Sequence, residues 1–381
     1  MVPLLIATCV NLIALGIVLP VLPFYVTEFD PSPEIAVLIF SVFSAASLIA
    51  APLWGRLSDH FGRKPVMLLS VACTCLSYIW LAYATELWEV FGSRAFAGAT
   101  AGWLTASQAY IADVTTAENR AKSLGFLGAT FGVAFVVGPT ISFFMLRHGA
   151  TLEITALVAV GCTATGLLLT MLLVREPERH EAHAGTRFSL AIFREPALAR
   201  LCLVYFCIFL AFTALEGTFA LWVQKMFAFG KAEVAAYFIY IGVVVVVVNG
   251  GLIGPIVKRF GEPGTVLLGI VTLGLGLALL PTSFTPWMVL APMGLIVFGF
   301  SVIGPAVQSL MTQVAPDNLK GGIMGVAQSF ASAARIAGPA WAGQAFGVFG
   351  PHWPYFIGAM MLVPVAFAAL PLLRHRAAHQ E

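Results

Sequence analysis

Apolar runs of about 18–25 residues recur along this chain, and each is long enough to cross the ~30 Å hydrocarbon core of a bilayer as an α-helix. Lipid offers peptide groups no hydrogen-bond partner, so such runs must close their own backbone bonds as helices. A transmembrane barrel would instead need alternating segments of about ten residues, and none stands out. The chain is 60% hydrophobic and 10% charged, against ~25% charged in soluble domains. That leaves too little polar surface for a soluble protein of this size.

The runs are expected at 2–25, 35–55, 65–84, 88–111, 122–146, 151–174, 200–224, 233–257, 264–281, 286–310, 321–347 and 353–373, giving an all-α integral membrane protein of twelve spans. The basic residues between them alternate. Arg94 and Arg335 fall inside spans, and Arg147, Lys225 and Lys231 fall on one face. Every other Lys and Arg falls on the opposite face, which the positive-inside rule makes cytoplasmic, together with both termini. An odd number of spans would scramble this alternation. The first run lacks a basic region ahead of it and ends in Pro20 and Pro23 without a small-residue cleavage site, so it reads as a retained helix and not a signal peptide.

The longest polar stretch, 175–199, divides the chain into an N-terminal six-helix bundle at 1–174 and a C-terminal one at 200–381. It reads as a cytoplasmic linker, with a short surface helix expected around Phe188–Phe193. The halves repeat each other. Gly55 and Phe61-Gly62 recur 199 residues on as Gly254 and Phe260-Gly261, and Asn119 recurs as Asn318. Gly125 recurs 200 residues on as Gly325, and Gly138-Pro139 as Gly338-Pro339. Repeats of the same orientation are a transporter architecture, with the binding site near mid-membrane between two pseudo-symmetric bundles.

Several functions are excluded by what is missing. The net charge of +2 comes with no basic block suited to nucleic acid. The six cysteines all lie in apolar runs, without CxxC or zinc spacing. No histidine lies deep in a span, so neither a metal nor another cofactor is expected. A membrane receptor or enzyme would need a soluble domain, a metal cluster or an activated nucleophile, and none is visible.

The loop after the second span reads Gly55-Arg56-Leu57-Ser58-Asp59-His60-Phe61-Gly62-Arg63-Lys64-Pro65. Its glycines allow tight turns, and Asp59 with the basic cluster can form a charge network at the helix ends. This resembles the cytoplasmic loop signature of the major facilitator superfamily. Gly16 and Pro20-Val21-Leu22-Pro23 resemble the end of that family's first helix, and Arg94 with Gly98 and Gly102 its fourth-helix arginine motif. Gly128, Gly132 and Gly138-Pro139 resemble the fifth-helix motif of its antiporters, and the tetracycline-efflux group is the likeness we single out. The fold implied is the two-bundle fold of that superfamily, and the activity implied is proton-coupled drug efflux. By the same resemblance Gly55, Asp59, Gly62, Arg63, Lys64, Asp113 and Arg120 form a gating region. The chain also departs from the pattern. Ser142-Phe143 stands where the fifth-helix motif closes with a glycine pair, and Asn11 and Ser77 stand where tetracycline exporters carry aspartates.

Three charges lie deep in spans: Arg94, Glu216 and Arg335. A charge there costs at least ~2.5–3.5 kcal/mol to insert, so each should face a cavity or a partner. Glu216 is expected to carry the proton, because desolvation narrows the gap between charged and neutral carboxyl forms. A substrate-anchoring role and a structural ion pair with either arginine are the alternatives. The resemblance makes the first, fourth, seventh and tenth helices line the cavity. Asn11, Arg94, Gln108, Phe212, Phe219, Tyr240, Gln308, Gln328 and Arg335 are the cavity and substrate candidates. An apolar, aromatic cavity with few fixed polar groups suits amphipathic small molecules. The expected function is proton-coupled efflux of such molecules by alternating access, by a monomer in a bacterial inner membrane. The alternative is an uncoupled facilitator or importer of a metabolite or lipid.

Overall fold

The computed structural model describes residues 1–30, 32–115, 117–177, 195–315 and 320–374; the side chains of 117–122, 124, 320–322, 324 and 372–374 are outside it. Arg120, the expected surface helix at Phe188–Phe193 and most of the linker therefore lie outside the described side chains or residues.

The described residues fold as helices, with no strand among them. The first half comprises α1 (Val2–Val18), α2 (Leu22–Thr27), α3 (Pro33–Phe61), α4 (Arg63–Ala82), α5 (Leu87–Ala99), α6 (Trp103–Val114), α7 (Ala117–Arg147) and α8 (Leu152–Leu173). The second comprises α9 (Pro196–Phe227), α10 (Lys231–Val247), α11 (Ile253–Leu279), α12 (Leu290–Val314), α13 (Lys320–Phe349) and α14 (Trp353–Arg374). Among the described residues, nine segments are long and apolar enough to span a membrane. One of them, Lys231–Thr282, has 52 residues. At ~1.5 Å per residue it is about twice as long as one crossing requires. It breaks at Gly261, whose φ is +69°.

Local chemistry explains the interruptions. Pro20 and Pro23 lack an N–H, and a 3-10 turn at Leu19–Val21 separates α1 from α2. The span expected at 88–111 is two helices, α5 and α6, and the reason is competition for backbone groups. The Ala99 carbonyl accepts from Trp54 Nε1 at 2.8 Å, and the Trp103 N–H donates to Ser70 Oγ at 2.9 Å. Those two groups would otherwise bond each other in a continuous helix.

Two compact units result. The first holds residues 1–183 with 228–243, and the second holds 184–227 with 244–381. In the first, α1 packs on α7 where Gly138 meets Gly16: a methyl at Gly138 would lie 2.6 Å from the Gly16 carbonyl carbon. In the second, α9 packs on α13 where Gly338 meets Thr213 and Leu210. The repeat read from the sequence thus recurs as equivalent helix contacts. Along the same helix, Gly125 and Gly128 have open space beside them.

Candidate transport site

At one end of the first unit, α3 ends and α4 begins at Gly62, whose φ of +103° favours glycine. The turn aims Arg63 back along α3. Arg63 Nη1 donates to Asp59 Oδ1 at 2.6 Å and to Ser58 Oγ at 2.7 Å, and its Nε donates to Asp113 Oδ2 of α6 at 2.7 Å. The loop sits on a buried cluster that includes Val66, Met67, Tyr110, Ile111 and Val174. Gly55 has open space beside it, and Lys64 Nζ donates to the Met171 carbonyl at 2.8 Å.

Glu176 completes this network and could not be anticipated from the sequence, being over a hundred positions from the loop. Its carboxylate accepts the Arg63 N–H at 2.6 Å and the Lys64 N–H at 2.7 Å. It therefore satisfies two orphan donors at the start of α4, where the helix dipole also favours negative charge. In the second half, Glu262 lies 199 residues after Arg63, and Gln313 lies near the equivalent of Asp113, 200 residues on. Gln313 Nε2 donates to Glu262 Oε1 at 3.2 Å, so the contact survives there without an ion pair.

Replacing Asp59 with asparagine should slow transport several-fold and leave substrate affinity nearly unchanged, because Asp113 still holds Arg63. Side-chain exposure of 54% at Asp59 keeps the stability cost within the ~0–1 kcal/mol of surface pairs. Initial rates against substrate concentration check this, and a large loss of affinity with intact turnover would contradict it.

Arg94, on α5, is 3% exposed. Its Nη2 donates to Ser77 Oγ of α4 at 2.8 Å, its Nε approaches Ser93 Oγ at 3.5 Å, and its guanidinium lies 5.0 Å from the Tyr78 ring centroid. Among the described residues of this unit no carboxylate is in ion-pair range of it; the ion pairs there are Arg63–Asp59, Arg63–Asp113 and Lys231–Glu28. The serine that replaces the resemblance's third-helix acid is thus the one that meets the buried cation. Asn11, which replaces the first-helix acid, is buried against Gly166 of α8, and its Oδ1 has no hydrogen-bond partner. Gln108 is exposed, Gly132 buried and Tyr240 half-buried.

The second unit brings together a different group. Tyr205, Phe209, Phe212 and Glu216 lie on one stripe of α9, spaced for neighbouring helical turns. Phe212 stacks on Phe300 of α12 at 3.7 Å between centroids, and Phe209 meets the same ring edge-on at 5.0 Å. Gln308 Nε2 of α12 donates to the Tyr205 hydroxyl at 2.9 Å. From α13, exposed Arg335 lies 5.5 Å over the Phe209 ring, and its charge acts through space on half-buried Glu216 without an ion pair within 4.0 Å. Phe219 is buried beside Trp222 in the core, and Gln328 is exposed. Tyr205, Phe209 and Phe300 were not among the expected cavity residues. The periodicity of 205, 209, 212 and 216 pointed to the first two. Chemically, this stripe offers aromatic faces, one amide, one cation and one acid able to hold a proton.

A many-span helical protein with a charged loop network and an aromatic, singly acidic stripe has the makings of a membrane transporter and not of an enzyme. The sequence profile of the Major Facilitator Superfamily matches residues 4–339, and the chain belongs to that family. It is 27% identical to "Tetracycline resistance protein, class H" of Pasteurella multocida, over 88% of this chain and 86% of that one. It is 26% identical to "Multidrug resistance protein 2" of Bacillus subtilis (strain 168), over 93% and 90%. Among solved structures it resembles the human organic anion transporter MFSD10 (TETRAN), with a TM-score of 0.75, 24% identity and coverage of 97% and 98%.

Proposed function

We propose that this protein is a twelve-span secondary transporter that exports hydrophobic or amphipathic small molecules in exchange for protons, by alternating access. The observation that carries the reading is Glu216, the acid set among the rings of Tyr205, Phe209 and Phe212 on one face of α9. Rings recognise apolar bodies, and a carboxyl group whose charge can be switched off links that surface to protons. The tetracycline and multidrug resistance relatives support the efflux direction. In this reading the Arg63 network gates the cytoplasmic mouth, both termini are cytoplasmic, and a monomer works in a bacterial inner membrane.

A second reading, an uncoupled facilitator or importer of a metabolite or lipid, draws on Asn11 and Ser77, neutral where the resemblance has acids. One experiment separates the two. Purified protein in proteoliposomes is offered tetracycline and ethidium with and without a pH gradient. Accumulation above equilibrium only with the gradient supports exchange, and equal rates in both conditions support the facilitator.

A further inference from the structure

The eighth apolar run is divided between the two units. Residues 228–243 pack with the first unit, and the chain from Val244 onward packs with the second. Both ends of the docked piece carry unusual backbone. Ala228 has φ +54°, the positive-φ residue among the described residues that is not glycine. That region costs an alanine conformational energy. Just past the other end, Val248–Leu252 (Val-Asn-Gly-Gly-Leu) forms a π-helical turn, and Gly250, Gly251 and Gly254 have open space beside them. Such turns are recognised sites of helix bending.

Val234, Ala235, Tyr237 and Phe238 are buried along the piece, and two contacts tie its ends to the rest of the first unit. Near the start of α10, Lys231 Nζ binds Glu28 Oε1 at 2.8 Å, just past the end of α2. About three turns on, Gly242 meets the backbone of Phe135 and Val136 on α7, where any Cβ would collide. The first contact is ionic and accessible, with 34% and 53% of the two side chains exposed. The second needs only the absence of a side chain. The ionic contact is the accessible one, and a residue at positive φ and a glycine-rich bend flank the piece.

We propose that Glu28 and Lys231 are a gating pair that latches residues 228–243 to the first unit, and that the pair must open for the segment to swing on its two flanking bends during transport. Neither residue belongs to the cytoplasmic loop network, and the charge distribution puts Lys231 on the opposite, outer face. The role in transport rests on the transporter reading above; the latch itself does not.

Hydrogen–deuterium exchange on the full-length protein in nanodiscs tests it, comparing wild type, Lys231→Glu and the swapped Glu28→Lys/Lys231→Glu. An accessible pair of this kind supports a two- to five-fold faster exchange of amides 231–243 in the single variant. The swap should return it to the wild-type rate, and peptides of α1 and α7 should not change. Unchanged exchange in Lys231→Glu, no restoration by the swap, or loosening of α1 and α7 together with the segment would each overturn the latch. Tetracycline uptake into proteoliposomes is measured in parallel. The single variant should differ from wild type by a similar factor and the swap should not. Absence of uptake by the wild type would count against the transporter reading and leave the exchange result standing.

Discussion

Replacing Glu216 with glutamine should abolish pH-driven accumulation of substrate and preserve its exchange down a gradient. Glutamine copies the protonated carboxyl in shape and charge but cannot release the proton. The other acids lie in loops, at span ends or in the tail. Arginine does not titrate in proteins, so neither Arg94 nor Arg335 can substitute. Arg335 acts on Glu216 through space without pairing directly, so the neutral variant removes no ion pair among the described residues. Folding should therefore survive. Substrate accumulation in proteoliposomes, with the gradient imposed and then collapsed, gives the answer. The accumulation ratio is expected to fall to one. Undiminished, pH-dependent uphill transport would place the proton elsewhere, and an unfolded variant would favour a structural role for the carboxylate.

Gly138→Ala should strongly disrupt the first unit. Its Cβ would lie 2.6 Å and 2.7 Å from the Gly16 carbonyl and α carbons, and 2.8 Å from the Ile13 carbonyl oxygen. All three are backbone atoms, so α1 and α7 would have to separate along their length. Overpacking of this kind costs about 1–3 kcal/mol, and leucine at the same position should prevent assembly. Gly128→Ala on the same helix is the control. Nothing lies within 4 Å of its Cβ position, and alanine is favoured over glycine in a helix by up to ~1 kcal/mol. Thermal loss of monodisperse protein after detergent extraction should rank Gly128→Ala at or above wild type and Gly138→Ala well below it. A Gly138→Ala protein as stable as wild type would show that these helices are not held in backbone contact.

That the chain is built of apolar helices of membrane length was legible in the sequence because crossing lipid is a local property: each helix must carry its own apolar residues and satisfy its own backbone bonds. The repeat was legible for a related reason. A backbone turn such as Gly62 or Gly261, or a close approach such as Gly138 or Gly338, demands the same small residue at the same offset. The charged loop declared itself because Asp59 and Arg63 are four positions apart across the Gly62 turn.

The partners that complete each site depend on contacts between distant segments. Glu176 reaches Arg63 and Lys64 because α8 ends beside the start of α4, and no spacing along the chain reports that. Ser77 becomes the partner of Arg94 because α4 lies against α5. Phe300, Gln308 and Arg335 join Glu216's stripe because α12 and α13 pack on α9. Sequence therefore determined that the chain is built of apolar helices of membrane length, and it marked Gly62, Gly261, Gly138 and Gly338, where the backbone turns or comes close. Only the tertiary structure decided which of those residues meet, and that residues 228–243 pack away from the rest of their half, because side-chain partners are chosen by helix packing and not by distance along the chain.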